Sequence, residues 1–222
     1  MRIERISLGL FAILLTFVAY AATVTDNFNR GDNATDLGGN WTDVRTNGLG
    51  ISSNAAYSDI VDSDASSSVW TADSIGNNQY AEATITTLGA SVDFRNVQLL
   101  VRQTGDHEDN TQDGYGLLLF TGTPPGTAWK IVRWDNSVDT DIEAGAGITI
   151  NAGDRFRIEI QGSTIRAYQN DMQLGGDETD ATYASGRPGL IIYGNTIRVD
   201  DFEAGDLGGG NPFTGPFGGP LQ

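Results

Sequence analysis

The chain has 222 residues, 39% of them apolar, which is enough for one ordinary core and points to a single domain. Its 29 acidic residues against 13 basic give a net charge of −16, a balance that opposes binding to nucleic acid or to an anionic membrane. With no cysteine, stability rests on packing, on sheet hydrogen bonds or on a bound ion; the surplus carboxylates serve either solubility or a hard cation such as calcium.

Residues 1–21 read as an export signal. Arg2 and Arg5 make a basic start, Leu8 to Tyr20 an apolar run, and Ala19-Tyr20-Ala21 an A-x-A cleavage pattern. The apolar run is about two-thirds of the length a bilayer helix needs, so a secreted or cell-surface product with no membrane segment after cleavage is expected. The mature chain is expected to begin near Ala22 and soon reaches "DNFNR" from Asp26, which "DDFEAGDL" from Asp200 answers near the far end. Each stretch places an Asp two residues before a Phe, and in a strand such a pair shares a face; if the two stretches are first and last strands of one sheet, Phe28 and Phe202 meet inside it.

Between these ends short β-rich runs recur with turn-forming clusters between them, the spacing of an antiparallel all-β domain. In order they are "QYAEATITTL" from Gln79, "VQLLVRQT" from Val97, "GYGLLLFT" from Gly114, "AWKIVRWD" from Ala128, "RFRIEIQG" from Arg155, "TIRAYQND" from Thr164 and "GLIIYG" from Gly189. "TPPGT" at Thr123, "NAGD" at Asn151, "QGST" at Gln161 and "SGRPG" at Ser185 supply the reversals. In "RFRIEIQ", Phe156, Ile158 and Ile160 face one way and Arg155, Arg157 and Glu159 the other. In "VQLLVRQ", Val97, Leu99 and Val101 oppose Gln98, Leu100 and Arg102. Each strand therefore has a core face and a wet face, and a second sheet must cover the core face. Residues 208–222, "GGGNPFTGPFGGPLQ", are too rich in Gly and Pro to build a core and read as a flexible tail, leaving a sandwich domain over 22–207.

"DNFNRGDNATDLGGNWT", "GDRFRIEIQGSTIRAYQND" and "YASGRPGLIIYGNTIRVDDFEAGDL" together resemble concanavalin A-like jelly-roll domains, in particular laminin G-like and glucanase-like modules. The resemblance covers roughly residues 24 to 207. It implies a two-sheet antiparallel β-sandwich whose relatives include lectins, glycan-binding modules, glycosidases, adhesins and virion parts, so it carries fold further than activity. It also implies a structural calcium bridging the N-terminal segment and the last strand, which maps onto Asp26 and Asp200; the alternative is that both carboxylates flank turns and face water.

The glucanase branch carries E-x-D-x-x-E, whose two Glu act as nucleophile and acid/base, and this chain lacks it. The nearest approach, "ETDATY" from Glu178, has no second Glu. The single histidine, His107, lies in "GDHEDNTQDG" and reads as a solvated loop residue. That loop and "DNSVDTDIE" from Asp135 are acidic enough to weigh as calcium loops but miss the D-x-D-x-D-G spacing. Catalysis is not expected.

Recognition by aromatic side chains remains, since sugars present apolar faces to rings and hydroxyls to polar neighbours. Trp129 and Trp134 are five apart on one strand and so point to opposite faces, leaving one of them for a ligand. Tyr115 opens the preceding strand, Arg133 neighbours Trp134, and Arg102 lies on the wet face before that. The candidate ligand residues are thus Arg102, Tyr115, Trp129, Arg133 and Trp134. The expected partner is a glycan or cell-surface polymer; the rival reading is a structural or adhesive part that packs against copies of itself.

Overall fold

The computed structural model describes residues 22–60, 64–89, 96–121 and 128–208. The expected export signal, the reversal at Thr123 and the Gly/Pro tail beyond Gly208 lie outside the described residues. Those described form strands and no helix. In chain order the strands are β1 (Thr23–Asp26), β2 (Trp41–Asp43), β3 (Gly50–Ser52), β4 (Ala55–Tyr57), β5 (Ala65–Trp70), β6 (Gln79–Thr87), β7 (Asn96–Thr104), β8 (Asp113–Phe120), β9 (Trp129–Asp135), β10 (Val138–Gly145), β11 (Asp154–Gln161), β12 (Thr164–Gln169), β13 (Met172–Thr179), β14 (Arg187–Tyr193) and β15 (Arg198–Asp206).

They make two antiparallel sheets packed as a sandwich. The first runs β13-β12-β11-β6-β15-β4-β3, with β1 also on β15; the second runs β10-β9-β8-β7-β14-β5-β2. The expected two-sheet architecture is the one found. Phe156, Ile158 and Ile160 of β11 meet Leu99, Leu117, Leu119 and Ile131 of the second sheet in one continuous core, as the alternation in "RFRIEIQ" requires.

The two acidic-aromatic ends do pair. Thr23 lies opposite Gly205 and Asp26 opposite Phe202, antiparallel. Trp41 sits between the two phenylalanines, its ring centroid 6.1 Å from that of Phe28 and 4.8 Å from that of Phe202, and packs edge-on against Trp70 at 5.4 Å. First and last strands are thereby fastened by an aromatic cluster reaching both sheets.

Two outer strands come from sequence that reads as loop. Asn136-Ser137 and Asn170-Asp171 both adopt positive φ, near 49° and 67°, the left-handed pair of a type I′ hairpin turn. The first turn folds "DNSVDTDIE" back as β10 on β9, and the second folds β13 onto β12. Edge strands with polar side chains on both faces leave no alternation to read.

The sheets' outer faces differ in kind. On the first, Arg155 and Glu82 (3.4 Å), Arg157 and Glu159, and Arg166 and Asp177 form ion pairs, while the Arg157 guanidinium lies 4.3 Å over the Tyr80 ring. On the second, Gln98 and Leu100 are buried, and Leu100 joins Ala65 and Ile191 in a small second cluster flanked by Tyr193. The wet face expected for β7 is covered.

Candidate functional site

Arg102, Tyr115 and Arg133 come together, but in a closed network at one end of the sandwich. A bulge in β7 between Val101 and Thr104 puts Arg102 at φ 51° and turns its side chain inward, leaving the residue 3% exposed rather than wet. Its Nε donates to the Asn77 carbonyl (2.8 Å), Nη1 to that of Tyr183 (2.8 Å) and Nη2 to that of Gly162 (2.9 Å). The buried Tyr115 hydroxyl donates to Asp180 (2.8 Å) and accepts from the Tyr183 amide (3.0 Å); burial and that carboxylate push its pKa up to about 12. Arg133 reaches Asp180 at 2.7 Å and Asp135 at 2.8 Å. Burial pushes the Asp180 carboxyl up, yet hydrogen bonds from Thr182, Arg133 and Tyr115 outweigh it and bring the pKa to about 2. Each of these groups has its partners inside the protein.

Trp129 and Trp134 part as alternation demands. Trp129 belongs to the core, packed on Gly145 of β10, where an added Cβ would lie 2.4 Å from the indole nitrogen. Trp134 stands on the outer face of the second sheet, opposite Gly114 on β8 and Asp139 on β10. Its indole N–H donates to Gln98 Oε1 (3.3 Å), and Gln98 donates to Asn96 Oδ1 (3.3 Å). His107 meets the Trp134 ring edge-on, centroids 6.1 Å apart. The loop bearing His107 is tied to the segment after β2 by the bond from the His107 amide to the Val44 carbonyl (3.2 Å), and that segment contributes Arg45.

These parts surround a cavity of about 330 Å³ on the sheet's outer face, with Leu118, Ile191 and Gln98 in its lining and Arg45, Asp64, Asn96, His107, Tyr193 and Asp139 around them. It combines ring and aliphatic surface with amides, carboxylates and one guanidinium, the mixture that small polar ligands need. His107, expected to be solvated, is half-buried here. Sequence reading passed over Arg45, Asn96, Gln98 and Tyr193. Gln98 and Asn96 carried a signal, since amides at outward positions of a strand whose outward neighbour is Leu100 mark a covered face. Arg45 carried none.

A larger cavity of about 600 Å³ lies beside the paired ends, lined by Asp26, Arg30, Asn40, Asp201 and Glu203 among others. The one ring in its lining, Phe202, is 1% exposed and packs on Trp41, whereas the other cavity adds the half-buried rings of His107 and Tyr193 to Trp134. The residues expected to hold calcium are at and near this corner, and they do not fit an ion. Both Asp26 oxygens are taken by the Arg30 guanidinium (2.6 and 2.9 Å), with further bonds from the Trp41 indole and the Phe28 amide (2.8 Å each). Burial raises the Asp26 pKa, and these donors more than reverse it. A bulge in β15 between Asp200 and Glu203, with Asp201 at φ 49°, breaks the alternation. Asp200 therefore pairs with outward-facing Thr84 instead of sharing the face of Phe202, and burial with the like charges of Asp201 and Asp26 raises its pKa. No group of three or more His, Cys, Asp or Glu among the described residues could hold a metal ion.

No family model matches the chain, and no curated protein matches it. Solved structures do. The exoplasmic/lumenal domain of VIP36, in its Ca²⁺/Man3GlcNAc-bound form, aligns with a TM-score of 0.56 at 10% identity over 77% of this chain and 84% of that one. The carbohydrate recognition domain of Emp47p gives 0.55 at 12% over 82% and 93%. A prokaryotic β-1,3-1,4-glucanase from a mouse hindgut metagenome gives 0.54 at 12% over 83% and 98%. This is a concanavalin A-like fold. The concanavalin A-like sandwich is shared by recognition domains and a glucanase alike, so at these identities the likeness concerns architecture, and function must be argued from the cavity.

Proposed function

We propose that this chain is an exported, non-enzymatic carbohydrate-binding module whose site is the cavity on the outer face of the second sheet. The observation that carries the reading is the Trp134–His107–Gln98 arrangement. A sheet face that alternation would leave to water instead holds a buried tryptophan, an edge-on imidazole and two linked amides around an open volume. Apolar ring surface next to amides and carboxylates suits a pyranose, whose C–H face and hydroxyls need both. Similarity in fold to carbohydrate recognition domains supports this reading without assigning it.

The binding role is favoured over a self-packing structural role by what the surface offers. Among the described residues the exposed large hydrophobics are Val138 and Met172, too few for the apolar patch a stable self-contact uses. A glucanase role is disfavoured because the sequence lacks E-x-D-x-x-E. A glycan-array screen of the full chain tests the reading. Reproducible binding that falls at least about tenfold in Trp134→Ala, with an unchanged sheet spectrum, is expected. Binding indifferent to Trp134→Ala would remove the site, and silence across a broad array would remove the function.

A further inference from the structure

We propose that the outer-face cavity selects sugars that carry a carboxylate, a uronate unit of an acidic polysaccharide, and that Arg45 is the residue that receives it. The inference deepens the carbohydrate-binding reading and rests on it.

Arg45 lines the cavity with its side chain 7% exposed, and its Nε is buried without a hydrogen-bond partner. A guanidinium withdrawn from water with an unmade bond is costly, and in folded proteins such a group points to a missing acceptor. Among the described residues the cation has one hydrogen-bonded partner, and the contact is long. Nη1 lies 3.3 Å from Asp64, whose side chain is 43% exposed, and the contact leaves the Nε edge unused. Burial accordingly lowers the Arg45 pKa, against the opposing pull of Asp64, Glu108 and Asp106.

Contrast Arg102, where each guanidinium nitrogen donates to a carbonyl. Water could satisfy one Nε–H, but a carboxylate matches the planar edge of a guanidinium with two parallel bonds. The neighbours fit the rest of such a sugar. Trp134, His107 and Tyr193 supply ring surface, Asn96 and Gln98 supply amides, and the exposed Asp139 supplies an acceptor for hydroxyls. The net charge of −16 and the acids around the cavity, Asp64 and Asp139 in its lining with Asp106 and Glu108 acting on the same cation, oppose an anion, so selection for the acid depends on the Arg45 guanidinium alone.

The experiment is calorimetric titration of the full chain with short galacturonate, glucuronate and mannuronate oligosaccharides, each beside its carboxyl-reduced counterpart. The reduced sugars keep the ring and lose only the charge, so this comparison needs no variant. The expected result is that at least one acid form binds about tenfold or more tightly than its reduced form. Arg45→Gln should erase that difference and Arg45→Lys restore part of it, with circular dichroism confirming the fold. Equal affinity for acid and reduced forms, lowered in both by Trp134→Ala, would overturn the uronate inference and leave the sugar site standing. An acid preference that persists in Arg45→Gln would also overturn it. Failure of all of these sugars to bind would overturn the uronate inference, while the carbohydrate reading stands or falls with the glycan array.

Discussion

The polar end of the sandwich and the outer face of the second sheet each bury an arginine beside aromatic side chains, and they differ in how completely that arginine is matched. At the end, Arg102 gives its three nitrogens to three carbonyls from separate loops, while Tyr115, Asp180 and Arg133 consume one another's hydrogen-bonding capacity. On the face, Arg45 lines an open volume and its buried Nε has no hydrogen-bond partner. A saturated network is architecture, because any ligand would have to break bonds to enter; an unsaturated one has something left to offer.

The strongest way to break this contrast is Arg102→Ala. Removing a buried cation that fastens Asn77, Gly162 and Tyr183 should cost about 3 kcal/mol, read as a lower urea midpoint at unchanged slope, with sugar affinity of the folded fraction unaltered. Full stability with lost binding would exchange the roles of the two regions. Acid titration comes next. Asp180 has its pKa depressed from 3.8 to about 2, so its contribution is complete above 3.8 and disappears as the pH falls through about 2. Asp180→Asn should therefore be less stable than the parent at neutral pH and approach it near pH 2. A gap that stays constant with pH would mean Asp180 is not held by Arg133 and Tyr115. The smallest effect concerns the corner where Arg30 saturates Asp26. Calcium against chelator should leave the melting temperature unchanged, since a guanidinium already neutralises the carboxylate. A calcium-dependent rise would show that the ion displaces Arg30.

Much of the architecture was legible because regular alternation survives in the central strands. Phe156, Ile158 and Ile160, or Val97, Leu99 and Val101, mark their face without ambiguity. Legibility failed where the chain leaves strict period two. The bulge at Arg102 turned an expected surface cation into an interior one, and the bulge at Asp201 separated Asp200 from the face of Phe202. β5, "ASSSVW", is wholly buried yet polar, its serines satisfied by Ser58, Asp43 and the Leu190 carbonyl, so no hydrophobic signal announces it. The site was half legible. Opposite faces for Trp129 and Trp134 followed from their spacing, but the choice between them depended on Gly145 lying across the ladder from Trp129. Arg45 and His107 come from segments without periodicity, and only tertiary folding brings them over the sheet.

The pairing of β1 with β15 has a mechanical consequence. Residue 22 and residue 208 leave the sandwich at the same end of one antiparallel ladder, where the Asp206 amide meets the Ala22 carbonyl at 2.8 Å. A load drawn between the two ends opens that ladder one rung at a time from Thr23 toward Asp26, as a zipper opens, instead of shearing all its bonds together. A load between either end alone and a ligand held on the second sheet runs through the packed core and spares the zipper. Tethering at one end thus preserves the domain under tension, while pulling on both peels away β1 first and exposes Phe28 and Trp41.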